Sequence, residues 1–114
     1  MAEELKVIQD FYDLILWTVN HTSKFPRHHR HSLGVDMENR LQAILALLLR
    51  AKYTRDRFAF LDEANLELEI LRFQVRLAKD LQLLSVKSYG HAAERMLDIG
   101  RQIGGWAKRG KSDS

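Results

Sequence analysis

Cysteine is absent from this 114-residue chain. That absence excludes disulfides, thiolate zinc sites and thiol catalysis, and it is compatible with a reducing compartment. Proline occurs once, at Pro26, and glycine six times, four of them after residue 99. So few chain breakers favour a small number of long helices over many short strands. Aromatic residues make up only 9%. The longest apolar run, residues 43–49, falls far below the ~18 residues of a membrane span. The acidic start, Met1-Ala2-Glu3-Glu4, has no apolar core of a signal peptide, so a cytoplasmic location is expected.

What is present is charge, unevenly spread. The composition is 46% hydrophobic and 29% charged, in the globular range, with a net charge of +3. Residues 1–23 hold four acids against one lysine, whereas residues 24–57 hold eight Lys/Arg against three acids. Residues 58–84 are net acidic and 85–114 net basic. A basic patch is therefore plausible despite the mild total.

Apolar periodicity predicts four helices and an all-α, antiparallel up-down-up-down four-helix bundle, because short connections make successive helices neighbours. The first spans about 4–22, with Leu5, Ile8, Phe11, Tyr12, Ile15 and Val19 as its inward stripe. Phe25-Pro26 breaks it. The second starts at His29 or Leu33 and ends near Ala51, with Met37, Leu41, Ile44, Leu48 and Ala51 facing inward. The third spans about 57–84 and the fourth starts near Val86 or Ser88, with Ser88 a possible cap, and frays over 104–109. Residues 1–109 are expected to form one domain and 110–114 a disordered tail.

The third helix carries two seams. Leu61, Ala64, Leu68, Leu71, Val75 and Ala78 recur at heptad spacing, and so do Leu66, Ile70, Phe73, Leu77, Leu81 and Leu84. A bundle core needs one such stripe. The second is covered either by two neighbouring helices of the same chain or by a second subunit, and the oligomer is the favoured reading.

Beside that seam, Arg72, Arg76 and Lys79 stand at i, i+4 and i+7, one line of positive charge on a helix. Such a line suits a polyanion. It is also what an ordinary solvated face looks like when its cations pair with acids such as Glu69 and Asp80. A second basic group, Lys24, Arg27 and Arg30, lies among His28, His29 and His31 around Pro26. No acid follows until Asp36 and the clustered cations repel a metal, so phosphate contact or a solvated loop is favoured over a metal site. Catalytic, cofactor and metal residues are all read as none. There is no phosphate-cradling glycine loop, no paired Glu-x-x-His, and Arg27 and His31 are too close for the Arg–His spacing of helical RNases of the HEPN type.

Two stretches carry a resemblance. Leu71-Arg72-Phe73-Gln74-Val75-Arg76-Leu77-Ala78-Lys79-Asp80-Leu81 and Ile99-Gly100-Arg101-Gln102-Ile103-Gly104-Gly105-Trp106-Ala107-Lys108-Arg109 resemble the Avd (accessory variability determinant) family of diversity-generating retroelements. More widely the chain resembles the four-helix bundle proteins encoded in intervening sequences of 23S rRNA genes. The likeness covers about residues 11–109. It implies a homopentameric barrel of four-helix bundles with no enzymatic activity and no cofactor. It further implies a basic surface that serves a reverse transcriptase and its template RNA or cDNA in mutagenic reverse transcription. Arg72 and Arg76 fall where the family's nucleic-acid- or polymerase-binding arginines lie. Lys24, Arg27 and Arg30 are assigned to that surface from charge alone. The competing expectation is a protein-interaction scaffold whose basic face meets an acidic protein.

Overall fold

Pro26, with no N–H and a fixed φ, separates the first long helix from everything that follows. A computed structural model describes residues 2–113, with side chains for 4–109. Within these residues lie four long helices and no strand: α1 Ala2–Thr22, α3 Val35–Lys52, α4 Phe58–Asp80 and α5 Val86–Asp113. The short α2, Arg27–His29, leads into a π-helical turn, Arg30–Gly34, which joins α3 directly. The Val35 N–H reaches back five residues to the Arg30 carbonyl, the widened spacing of a π turn. Helical structure thus starts just after Pro26, earlier than either start read from the sequence. The tail expected to be disordered over 110–114 is helical in its backbone as far as Asp113, and Ser114 lies outside the described residues.

α1 packs on α3 and α5, and α4 packs on the same two, so the four helices surround one core. The inward stripes expected for α3 and α4 are buried throughout: Met37 to Ala51 on one, Leu61 to Ala78 on the other. α5 adds Ala92, Met96, Ile99, Ile103 and Trp106. Each such large side chain contributes about 1.5–3 kcal/mol on leaving water.

The stripe of α1 needs correction. Val7, Phe11, Leu14, Thr18 and Thr22 face the core, while Leu5, Tyr12 and Val19 are exposed. Two threonines sit inward because their hydroxyls find acceptors. Thr18 donates to the Leu14 carbonyl at 2.8 Å, and Thr22 donates to Glu38 across the turn at 2.5 Å. Satisfied in this way, a buried hydroxyl costs little.

The end of α4 also differs from expectation. The helix stops at Asp80, and Gln82 takes a left-handed φ of 63°. Gln82 N–H donates to Lys79 O and Leu83 N–H to Ala78 O, a Schellman closure that satisfies two terminal carbonyls. A non-glycine residue in this conformation costs roughly 1 kcal/mol. Gln82→Gly should therefore raise the thermal midpoint by a few degrees, a stabilisation of about 0.5–1 kcal/mol readable by calorimetry. Three residues on, Ser85 caps α5 through its Oγ, which accepts the Ser88 N–H at 3.0 Å. The cap is Ser85 where the sequence suggests Ser88, and the helix continues through 104–109 without fraying. A Cβ on Gly100 would lie 3.6 Å from a Leu68 methyl, so what approaches this glycine is a side chain of α4.

Candidate nucleic-acid interface

The second seam of α4 stays on the surface. Leu66 is 62% exposed, Phe73 61%, Leu77 46% and Ile70 37%, with Leu81 also exposed; only Leu84 is buried. Neighbouring helices of the same chain cover it only in part. The line of cations runs beside it.

Arg76 is exposed and, among the described residues, makes no ion pair or side-chain hydrogen bond. Arg72 donates to Glu69 at 3.1 Å, with both side chains about half exposed. An i,i+3 pair in that setting is weak and easily exchanged for another anion. Lys79 lies 3.3 Å from Asp80, and its ammonium sits 4.7 Å from the Tyr89 ring centroid.

Arg72 and Arg76 edge a groove of about 130 Å³ between α4 and α5, and Lys79 lies beyond them against Tyr89. Met96, buried, and Ala93, half-buried, form its floor. Phe73 and Tyr89 form its sides, and Arg72, Arg76 and Glu69 its rim. Sequence reasoning reaches Arg72, Arg76 and Lys79 but misses Tyr89, Ala93 and Met96. The signal for those is the apolar stripe of α5, Ala92, Met96, Ile99, Ile103 and Trp106, whose burial sets the phase of the helix.

Lys24, Arg27 and Arg30 are all exposed and do not line this groove. Phe25, buried, pins their turn to the core. No acid pairs with any of the three among the described residues. His28 and His29 meet edge to face at 5.1 Å, and no described group of three or more His, Asp or Glu is arranged to hold a metal. Trp106 is core, 2% exposed, with the Arg57 guanidinium 5.8 Å from its ring.

Glu69 and Asp80 lie beside the cations of α4 and pair with Arg72 and Lys79, while other acids are held elsewhere. Arg40 holds Glu67 at 2.8 Å and Asp36 at 3.2 Å, and its Nε donates to Gln74. Gln74 in turn donates to Asp36. Arg57 holds Glu4 at 3.0 Å. Lys6 donates to Asp10 at 2.7 Å, and Gln102 donates to the same carboxylate at 2.9 Å. Many acids of α1, α3 and α4 are thus engaged by partners away from Arg76.

The Asp10 cluster titrates. Burial pushes the Asp10 carboxyl up, but hydrogen bonds from Lys6 and Gln102, with the charges of Lys6 and Arg95, outweigh it and hold the group below its ordinary value. The hydrogen bond to Asp10 likewise raises the Lys6 ammonium. A carboxyl depressed by folding adds stability above its unfolded pKa, and that stability is lost as pH falls through the folded value. Asp10→Asn should therefore flatten the fall in thermal midpoint below about pH 4. A pH series of melts reads the difference, and an unchanged acid limb would remove Asp10 from the account.

No helix among the described residues is long and apolar enough to cross a membrane. No curated protein and no solved structure matches the chain significantly. A family model, described as bAvd-like, matches residues 5–110. The match takes in all four long helices up to residue 110, the arginine line of α4 and the glycine–tryptophan stretch of α5 with them, and on it the chain belongs to the bAvd-like family.

Proposed function

We propose that the chain is a non-enzymatic accessory subunit of a diversity-generating retroelement. In this reading it is a basic oligomeric scaffold that binds the reverse transcriptase and its template RNA or cDNA. Membership of the bAvd-like family supports the accessory role. The observation that carries the binding role is Arg76, exposed and unpaired beside the loosely paired Arg72 on a rigid helix. Oriented guanidinium groups on a stiff support contact successive phosphates without an ordering cost for the backbone. Tethering the template raises its local concentration at the polymerase.

Assembly as a homopentamer of antiparallel bundles belongs to the same proposal. The apolar seam of α4 at Leu66, Ile70, Leu77 and Leu81, left partly open by the protomer, supports a covering subunit, with Phe73 at the seam's edge, on the side of the arginines, left outside that contact. Contacts between Arg57 and Trp106, and between Asp36 and Gln74, support the up-down-up-down order. Lys24, Arg27 and Arg30 offer a second phosphate-binding group at the α1–α3 turn.

Gel shifts with structured RNA, single-stranded DNA and duplex DNA at two salt concentrations test the reading. Binding should weaken steeply with salt, since each neutralised phosphate releases counterions. Binding to an acidic protein with none to nucleic acid would favour a protein-interaction scaffold instead. Light scattering on the same sample should give a mass above that of the 13.3 kDa chain.

A further inference from the structure

We propose that the groove between α4 and α5 holds one unpaired base of a single-stranded nucleic acid, with the neighbouring phosphates on Arg72, Arg76 and Lys79. This rests on the nucleic-acid reading above and names the form of the ligand.

The chemistry of the groove is divided. Its floor, Ala93 and Met96, is apolar; its sides, Phe73 and Tyr89, are aromatic; its positive charge stands at the edge. A purely electrostatic phosphate site needs no apolar floor and no ring. Phe73 is 61% exposed on a helix whose core seam is already complete, and a large aromatic left in water invites a flat partner. Every base has a π face, and stacking on a protein ring contributes independently of sequence. At about 130 Å³ the groove has room for one small planar group.

The charges fix the orientation. Glu69 at the rim repels phosphate except where Arg72 exchanges that carboxylate for it, so the strand runs on toward the other end, where Arg76 has no partner among the described residues and Lys79 lies against Tyr89. A base seated over Ala93 leaves its phosphates at that end. A duplex reaches the same cations with its backbone, but its bases are stacked inside and the apolar floor stays empty. The groove therefore separates single strands from duplexes, which charge alone does not do.

Fluorescence anisotropy reads the difference. A labelled single-stranded RNA of about 12 nucleotides, the DNA of the same sequence and the corresponding RNA duplex are titrated at one salt concentration. The wild-type chain should prefer the single strands by about tenfold or more, the worth of one stacked base. Ala93→Leu fills the floor without touching a cation. It should weaken single-strand binding about tenfold while leaving duplex binding and the salt slope unchanged. Circular dichroism checks that the variant is folded; should it not be, Phe73→Leu, at an exposed position, removes one ring and should have the same selective effect.

Equal binding of single strands and duplexes, with a steep salt dependence, would overturn the base-holding groove and leave the basic scaffold standing. Folded Ala93→Leu or Phe73→Leu binding single strands as tightly as wild type would do the same. No binding to any nucleic acid would remove both. RNA preferred over DNA at equal Ala93→Leu sensitivity supports the groove and assigns RNA as its source of bases.

Discussion

Arg72→Ala combined with Arg76→Ala should leave the fold intact and weaken RNA binding by at least tenfold. Both side chains stand outside the core, and the one ion pair removed, Arg72 with Glu69, is surface-exposed and worth less than about 1 kcal/mol. The thermal midpoint should move by no more than a few degrees. Binding is a different matter. A charge-assisted hydrogen bond to phosphate contributes about 1.5–3 kcal/mol, and two are removed from each protomer. The slope of log K against log salt should also fall by close to one unit for each phosphate no longer neutralised. The slope is the more informative number, because an indirect effect on assembly changes affinity without changing the number of counterions released per protomer. An unaltered slope would take these two arginines out of the interface and turn attention to Lys24, Arg27 and Arg30. Loss of polymerase binding with RNA binding intact would place the arginines at the protein partner instead.

The residues that make this surface legible in the sequence are those whose chemistry is local. Arg72, Arg76 and Lys79 share a face because a helix has 3.6 residues per turn, and any helix over 71–81 puts them there. The inward stripes of α3 and α4 are legible for a similar reason: one stripe on each helix has an apolar residue at every inward position. α1 is not. It is apolar on most sides, and the stripe that is buried contains Thr18 and Thr22, which read as outward. The carbonyls of Leu14 and Val19 and the carboxylate of Glu38 make those hydroxyls acceptable inside, and the last lies 16 residues from Thr22. The end of α4 misleads in the opposite direction. Leu81, Leu83 and Leu84 continue an apolar pattern with no glycine to stop it, while the helix closes on a left-handed glutamine. The groove is out of reach of the sequence because three of its seven lining residues belong to α5, and which part of α5 lies beside Arg72 depends on how the two helices pack. Tyr89, Ala93 and Met96 meet Arg72 only after the tertiary packing is known.

The two seams of α4 should give opposite results when each is damaged. Leu68, on the inner seam, is 2% exposed, and Leu68→Ala should lower stability by about 2–5 kcal/mol through reduced burial and the cavity left behind. Denaturant unfolding should show the change as a lower midpoint at unchanged slope. Leu66→Gln with Leu77→Gln alters only the outer seam. Within a protomer Leu66 is 62% and Leu77 46% exposed, so intrinsic stability should fall far less than in Leu68→Ala. Between protomers each leucine removed costs about 1.5–3 kcal/mol, so an interface without both weakens on the order of a hundredfold or more. Light scattering should then show a wild-type oligomer reduced to protomers in the double variant. Glutamine is chosen because it adds no charge, so a concurrent fall in RNA affinity measures avidity that disappears with the ring and not a changed electrostatic surface. A wild-type chain that is already a monomer at micromolar concentration would mean that the outer seam serves a different partner. A double variant that stays assembled would move the interface to another face, such as Tyr12 and Leu16 of α1, which are each 49% exposed.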